Sequence, residues 1–217
     1  MKFLILLFLI SPLVDRGILR EKRELADSSV GAGIVKYKPI IKKYANRYGV
    51  DWRLVVAQIV QESSFKEKAK SPVGARGLMQ IMPGTAKELG KELDYSYILN
   101  KSEENIAAGI YYLSKNMKLF PQSNKADRAK FALASYNAGL GRVLDAQDIT
   151  KEHDRVSMHK WSNVRGNLEK LRREDWELHL QVWPNGRPKH AYFYGSKETL
   201  GYVEEIWVRY EKYRRLL

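Results

Sequence analysis

No cysteine occurs among the 217 residues. That excludes a disulfide framework, a thiolate metal site and a cysteine-linked bacterial lipid anchor. The four histidines, His153, His159, His179 and His190, include no His-Glu-x-x-His pair, so no zinc site is expected. A phosphate-cradling Gly-x4-Gly-Lys-Ser/Thr loop is also missing. Ser135 has no nucleophile-elbow pattern around it and reads as helix packing. Neither an internal repeat nor a low-complexity tract is present, and no nucleic-acid-binding module is visible. Acidic residues are few, 25 against 38 Lys and Arg, giving a formal net charge of +13. Such a surface suits an anionic polymer, whether nucleic acid, anionic lipid or an acidic cell wall, although general solubility explains it equally well.

Long apolar runs are absent too. A bilayer span needs about 20 apolar residues, and the longest nearly unbroken run, Phe3 to Val14, spans only twelve positions, Ser11 and Pro12 among them. It follows a single Lys and fits the apolar core of a secretory signal. "SPLVDRG" offers no clean small-x-small cleavage site, so an uncleaved anchor is the second reading and a buried amino-terminal helix the third. Export to the periplasm or cell envelope is the expectation. Residues 15–33, charged and then small, read as a linker. Residues 34–217 form one domain, since this length supports a single sizeable core.

What is present is mostly helical periodicity. Tyr37, Ile40, Ile41, Tyr44, Ala45 and Tyr48 follow i, i+3, i+4 spacing, with Gly49 as a stop. Asp51 caps a second helix with the stripe Trp52, Val55, Val56, Ile59 and Val60. A loop over about residues 66–82 precedes a short helix after Pro83. Ser102 opens another helix, with Glu103 and Glu104 in its first turn. An Ala-rich helix runs to about Tyr136 and breaks at "NAGLG". Further helices are expected around 161–171 and from Ser196 onward. Alternation at Leu178, Leu180 and Val182, then "PNG", then Ala191 and Phe193 suggests a small β-hairpin near residues 178–194. The fold class is mainly α.

Glu62 stands out. It lies three residues after Ile59 and seven after Val55, on the face that should point inward. Desolvation there raises a carboxyl's pKa, which is what a general acid requires. From periodicity alone, a helix-end glutamate turned to solvent is the better reading. The following segment shifts the balance. Residues 71–86 hold Pro72, Gly74, Gly77, Pro83 and Gly84, with Arg76 as the sole charge. Ser71, Gln80 and Thr85 supply neutral hydrogen-bonding groups. One carboxyl among neutral donors and acceptors suits an uncharged polar ligand such as a sugar.

Three motifs, "QESSF", "SPVGARGLMQIMPGTA" and "ASYNAGLGRV", resemble the lytic transglycosylase domain of the soluble lytic type. "YFYGSKETLGYVEEIWVRY" is similar to that family's closing Tyr-Val helix, and the arrangement resembles the catalytic domain of membrane-bound lytic transglycosylase F. The resemblance covers about residues 35–213. It implies a lysozyme-like helical fold and cleavage of the MurNAc–GlcNAc β-1,4 bond of peptidoglycan glycan strands, without metal or cofactor. It makes Glu62 the catalytic acid and base. Ser71, Gln80 and Met82 match sugar-subsite positions, Tyr136 and Asn137 match the pair near the scissile bond, and Tyr202 matches the closing-helix tyrosine. Four of them also have a plainer role: core packing for Met82, Tyr136 and Tyr202, and loop-backbone bonding for Gln80. Residues 142–190 carry no strong family motif.

Glycosidases ordinarily use two carboxyls. The matched motifs contain no second one, and Glu67 and Glu88 match no catalytic position. The resemblance implies that the substrate's acetamido group and its C6 hydroxyl replace it, giving a 1,6-anhydro product. A non-catalytic wall-binding protein and a water-using muramidase are the alternatives. No nucleic-acid partner is expected, the N-terminus allows membrane-surface association, and the sequence leaves the oligomeric state open. Lys36, Lys38, Lys42, Lys43 and Arg47 form a basic patch that suits wall polymer or lipid headgroups, or is a solvated helix face.

Overall fold

The computed structural model describes residues 11–217, with side chains from residue 17. The run from Phe3 to Val14 therefore lies largely outside the described residues. Ten helices follow in order: α1 (Ser11–Ala26), α2 (Ser29–Tyr48), α3 (Trp52–Ser63), α4 (Pro83–Leu93), α5 (Ser102–Lys118), α6 (Lys125–Ala138), α7 (Leu140–Glu152), α8 (Trp161–Val164), α9 (Trp176–Val182) and α10 (Ser196–Leu216). Among the described residues there are isolated bridges but no strands, and no helix is long and apolar enough to cross a membrane.

The domain is organised around α3. Asp51 caps it, accepting from the Arg53 backbone N–H at 2.9 Å. From Leu54 to Ile59 every residue is buried, so α3 is enclosed on all sides rather than along one stripe. It packs most extensively on α10, and also on α2. The two long helices run antiparallel: Tyr210, late in α10, bonds Asp51 at 3.1 Å, whereas Tyr202, early in α10, reaches the carboxyl end of α3. Helical spacing on α10 puts Thr199, Tyr202, Val203, Ile206, Trp207, Tyr210 and Tyr213 on one side; Thr199, Tyr202, Val203, Ile206 and Tyr213 are buried, and Trp207 and Tyr210 are half-buried.

Three segments differ from expectation. Residues 15–33, expected as an irregular linker, are helical: they form most of α1 and the start of α2. Ser28 caps α2, accepting from Gly31 N at 3.0 Å. The glycines there serve close packing rather than flexibility. A Cβ on Gly31 would lie 2.0 Å from the Leu25 carbonyl, and one on Gly33 would lie 2.5 Å from the Phe65 ring.

The β-hairpin is not formed. Residues 176–182 are helix α9, because the buried positions are His179 and Trp183, one helical turn apart, while Leu180 is 58% exposed. Only the "PNG" turn is present, closed by Gly186 N to Trp183 O at 2.9 Å. The break at "NAGLG" is a single residue, Gly139 with φ 86°, after which the helix α7 begins at once. That helix then holds the incoming chain. Asp148 accepts from Trp183 Nε1 at 3.2 Å and Lys189 Nζ at 2.7 Å, and buried Asp145 accepts from His190 N at 2.9 Å. These bonds guide residues 183–195 to the start of α10.

Candidate active site

Glu62 sits in the last turn of α3, where that buried helix reaches the surface. The helix ends abruptly, with Ser64 and Phe65 both left-handed at φ 48° and 62°. The chain then turns away and leaves the carboxyl facing a cavity of about 430 Å³. Its walls include Gln61, Glu62 and Asn137 on one side, and Lys197, Glu198, Tyr202 and Glu205 from α10 on the other.

Tyr202 Oη donates to Glu62 Oε1 at 2.5 Å, and Gln58 Nε2 donates to Tyr202 Oη at 3.0 Å. Gln58, one turn before Glu62 and fully buried, fixes the tyrosine proton on the carboxylate side. Burial raises the Glu62 pKa to about 7, outweighing the opposing pull of the Tyr202 bond. Burial also raises the Tyr202 and Tyr136 hydroxyls well above the usual tyrosine value, so both stay protonated donors. Glu62 therefore holds a transferable proton near neutrality, with one carboxyl oxygen already engaged.

The raised pKa has a stability consequence. Below about pH 4.5 Glu62 is neutral in both folded and unfolded chains. As pH rises from 4.5 toward 7, the unfolded chain ionises and the folded site resists, so stability is lost across that window. A shift from 4.5 to about 7 corresponds to roughly 3 kcal/mol at 1.36 kcal/mol per unit. Glu62→Gln has no such loss. Its melting temperature relative to wild type should rise by several degrees between pH 5 and pH 8. A difference that stays constant over that range would mean the carboxyl titrates normally.

Asn137 is exposed at the end of α6, and its Oδ1 accepts from Thr199 Oγ1 at 2.7 Å. Tyr136 does not line this cavity. It packs against Tyr112, ring centroids 5.1 Å apart, and donates to Met79 O at 2.8 Å. Ser71, Gln80 and Met82 also lie outside the cavity lining. Ser71 Oγ accepts from Ala75 N at 3.0 Å, and Gln80 Nε2 donates to Gly77 O at 2.8 Å and Ala69 O at 3.1 Å. Both hold the loop's own backbone. Met82 is 41% exposed at the N-cap of α4. The structure thus brings Glu62, Asn137 and Tyr202 to one cavity, places Ser71, Gln80 and Met82 on the loop that follows α3, and leaves Tyr136 on α6 behind that loop.

Four contributors were not singled out from the sequence. Gln58 and Thr199 hold Tyr202 and Asn137 respectively. Gln61 accepts from Arg209 at 2.5 Å. Asn105, buried on α5, accepts from Met79 N at 2.9 Å and donates to Arg76 O and Ile98 O at 3.0 and 2.9 Å. A Cβ on Gly77 would fall 2.4 Å from the Asn105 amide, so only glycine lets the loop approach this closely. Gln58 is the most legible of these, four residues from Glu62 on one helical face.

A helical domain wrapped around one buried helix, whose terminal carboxyl opens into a cleft, is the architecture of lysozyme-like folds. The chain belongs to the transglycosylase SLT domain family, whose pattern matches residues 39–158. Its fold is similar to the 70 kDa soluble lytic transglycosylase SLT70 of Escherichia coli, with 30% identity, a TM-score of 0.54, and 82% of this chain and 24% of that one covered. A complex of the 70-kDa soluble lytic transglycosylase with bulgecin A is similar at 30% identity and a TM-score of 0.55, covering 88% of this chain and 26% of that one. Among curated proteins, membrane-bound lytic murein transglycosylase F of Desulfosudis oleivorans is 34% identical over 177 residues, 81% of this chain and 36% of its own length. The same-named protein of Pseudoalteromonas translucida is 41% identical over 139 residues, covering 63% and 27%. The chain spans about a third of the length of these relatives.

Proposed function

We propose that this domain is a peptidoglycan lytic transglycosylase acting outside the cytoplasm, in the periplasm or cell envelope. The observation that carries this reading is the single desolvated carboxyl, Glu62, held by Tyr202 at the cleft. Glu62 donates its proton to the glycosidic oxygen as the MurNAc C1–O bond breaks. The substrate's acetamido oxygen supports the positive charge at C1. Glu62, now a carboxylate, takes the proton from the muramic C6 hydroxyl while O6 bonds C1. The product is a 1,6-anhydro sugar, no water is consumed, and the carboxyl ends protonated as it began. Asn137, steadied by Thr199, orients the glycan beside the breaking bond. Ser71 and Gln80 shape the loop wall that the strand follows, Met82 offers an exposed apolar contact along it, and Tyr136 anchors that wall through Met79. The amino-terminal apolar run supports export and contact with the membrane surface.

A hydrolytic reading has one observation in its favour: Glu198 and Glu205 share the cavity with Glu62. Both are exposed, and Glu205 meets Arg209 at 3.4 Å. Neither is desolvated as Glu62 is, whereas attack by the C6 hydroxyl is intramolecular and gains a large effective concentration. Mass spectrometry of digested peptidoglycan separates the two. Muropeptides ending in 1,6-anhydromuramic acid, lighter by one water and inert to borohydride, are expected. Predominantly reducing ends would make α10 the source of a second catalytic acid. No muropeptides, from folded protein that still sediments with cell wall, would leave a binding function only.

A further inference from the structure

The basic patch on α2 does not survive as a uniform stripe. Lys36 is paired with Glu67, and Lys43 with Glu103 at 3.0 Å. Lys38 and Lys42 point the other way, and both lie over the ring of Trp52, at 4.9 and 5.0 Å from its centroid. Beside them, α1, α2 and the end of α10 enclose a groove of about 210 Å³ whose lining includes Lys22, Leu25, Val35, Lys38 and Leu216 and no acidic side chain. Among the described residues, Lys22, Lys38 and Lys42 have no acidic partner within 4.0 Å. Of the nearby acids, Glu21 pairs with Lys212 and Glu24 with Arg20, while Asp27, next to the groove-lining Ala26, has no ion pair among the described residues. Val35 is 76% exposed, and Leu19, one turn before Lys22 on α1, is 59% exposed.

We infer that this face, built from α1, α2, the start of α3 and the end of α10, docks on an anionic bilayer surface. Three unpaired cations complement phosphate headgroups. The exposed aliphatic groups and the amphipathic Trp52 ring suit the headgroup–acyl boundary, whereas a purely anionic polymer would leave Val35 without a use. Geometry agrees. Trp52 and Glu62 lie at opposite ends of α3, about 15 Å apart at 1.5 Å per residue. The cleft side of α10 likewise begins at Lys197, about 28 Å from Leu216. The Trp52 end of this face is thus set a helix length from the cleft, while its α2 part also reaches Phe65, three residues past Glu62. The surface belongs to the folded domain and acts in addition to any contact made by the amino-terminal run.

Vesicle co-sedimentation of the full chain tests this. Each cation near an anionic surface is worth about fivefold in partitioning. The variant Lys22→Gln/Lys38→Gln/Lys42→Gln should therefore bind phosphatidylglycerol-containing vesicles on the order of 100-fold more weakly at low salt, with binding to phosphatidylcholine vesicles and lytic activity on soluble glycan fragments unchanged. Val35→Asp should weaken binding with all three cations in place. Wild-type partitioning by the triple variant would overturn the inference. So would an equal loss of affinity for purified sacculi, which would assign the face to wall polymer. Wild-type binding by Val35→Asp would remove the apolar contact and with it the bilayer as occupant.

Discussion

Glu62→Gln should lose lytic activity by about 10²–10⁴-fold or more while folding normally. The glutamine keeps the side chain's size and can accept the Tyr202 bond, but it has no proton to give. General acid catalysis typically contributes a factor of this order, and here one group serves as acid and then base, so both steps fail together. Wall-containing zymograms with circular dichroism as the folding control decide it, and full activity in the variant would remove Glu62 from its role. The same site sets the pH profile. Because burial holds the Glu62 carboxyl near a pKa of about 7, kcat/KM should fall as pH rises through 7. Tyr202→Phe removes the bond that lowers this pKa, so the falling limb should move to higher pH. A limb that stays in place would show that the tyrosine does not tune the carboxyl.

The path to this site was partly readable in the residues. The apolar stripe of α3 and its Asp51 cap follow from spacing, because a buried helix must repeat apolar groups at helical period; spacing alone favours a solvent-turned Glu62, and only the nearly uncharged segment after it tips the reading inward. The stripe on α10 is legible for the same reason. What failed shares one cause: local composition was taken as conformation. Gly31 and Gly33 look like linker glycines, yet each is needed because a Cβ there would meet Leu25 O at 2.0 Å or the Phe65 ring at 2.5 Å. Leu178, Leu180 and Val182 alternate as in a strand, yet His179 is the buried residue, held by a 2.8 Å bond to Lys170 O. No local pattern reveals that a histidine is the inward group. Asn137 and Tyr202, 65 positions apart by their residue numbers, meet at one cavity only because α7 clamps the returning segment through Asp145 and Asp148. Those acids precede the residues they hold by 35 to 45 positions, beyond the reach of any periodicity.

The clearest case of such a hidden residue is Asn105, and its replacement should be the most destabilising of the polar changes considered. Its carboxamide satisfies three backbone groups at once, Met79 N, Arg76 O and Ile98 O, in a place where it is itself only 1% exposed. Asn105→Ala leaves all three without their partner. Each buried unsatisfied group costs about 1–3 kcal/mol; three would sum to roughly 3–9 kcal/mol, and because the Arg76 O bond is only part-buried a loss of roughly 3–6 kcal/mol is expected. At about 2–4 °C per kcal/mol for a domain of this size, the melting temperature should fall by roughly 6–24 °C. Asn105→Asp is the informative companion. It keeps the acceptor toward Met79 N but replaces the donor with a buried carboxylate facing two carbonyl oxygens, so it should be as harmful at neutral pH and milder in acid, where the protonated form donates again. Activity should suffer beyond stability, because this amide positions the backbone of Arg76 and Met79. Tyr136 is tied to Met79 O, and the loop that follows carries Gln80 and Met82. At a temperature where Asn105→Ala remains folded, turnover of peptidoglycan should therefore drop with Glu62 intact. An alanine variant that melts within 2 °C of wild type would show that water or a shifted loop satisfies these three groups, and that the loop is not held by α5.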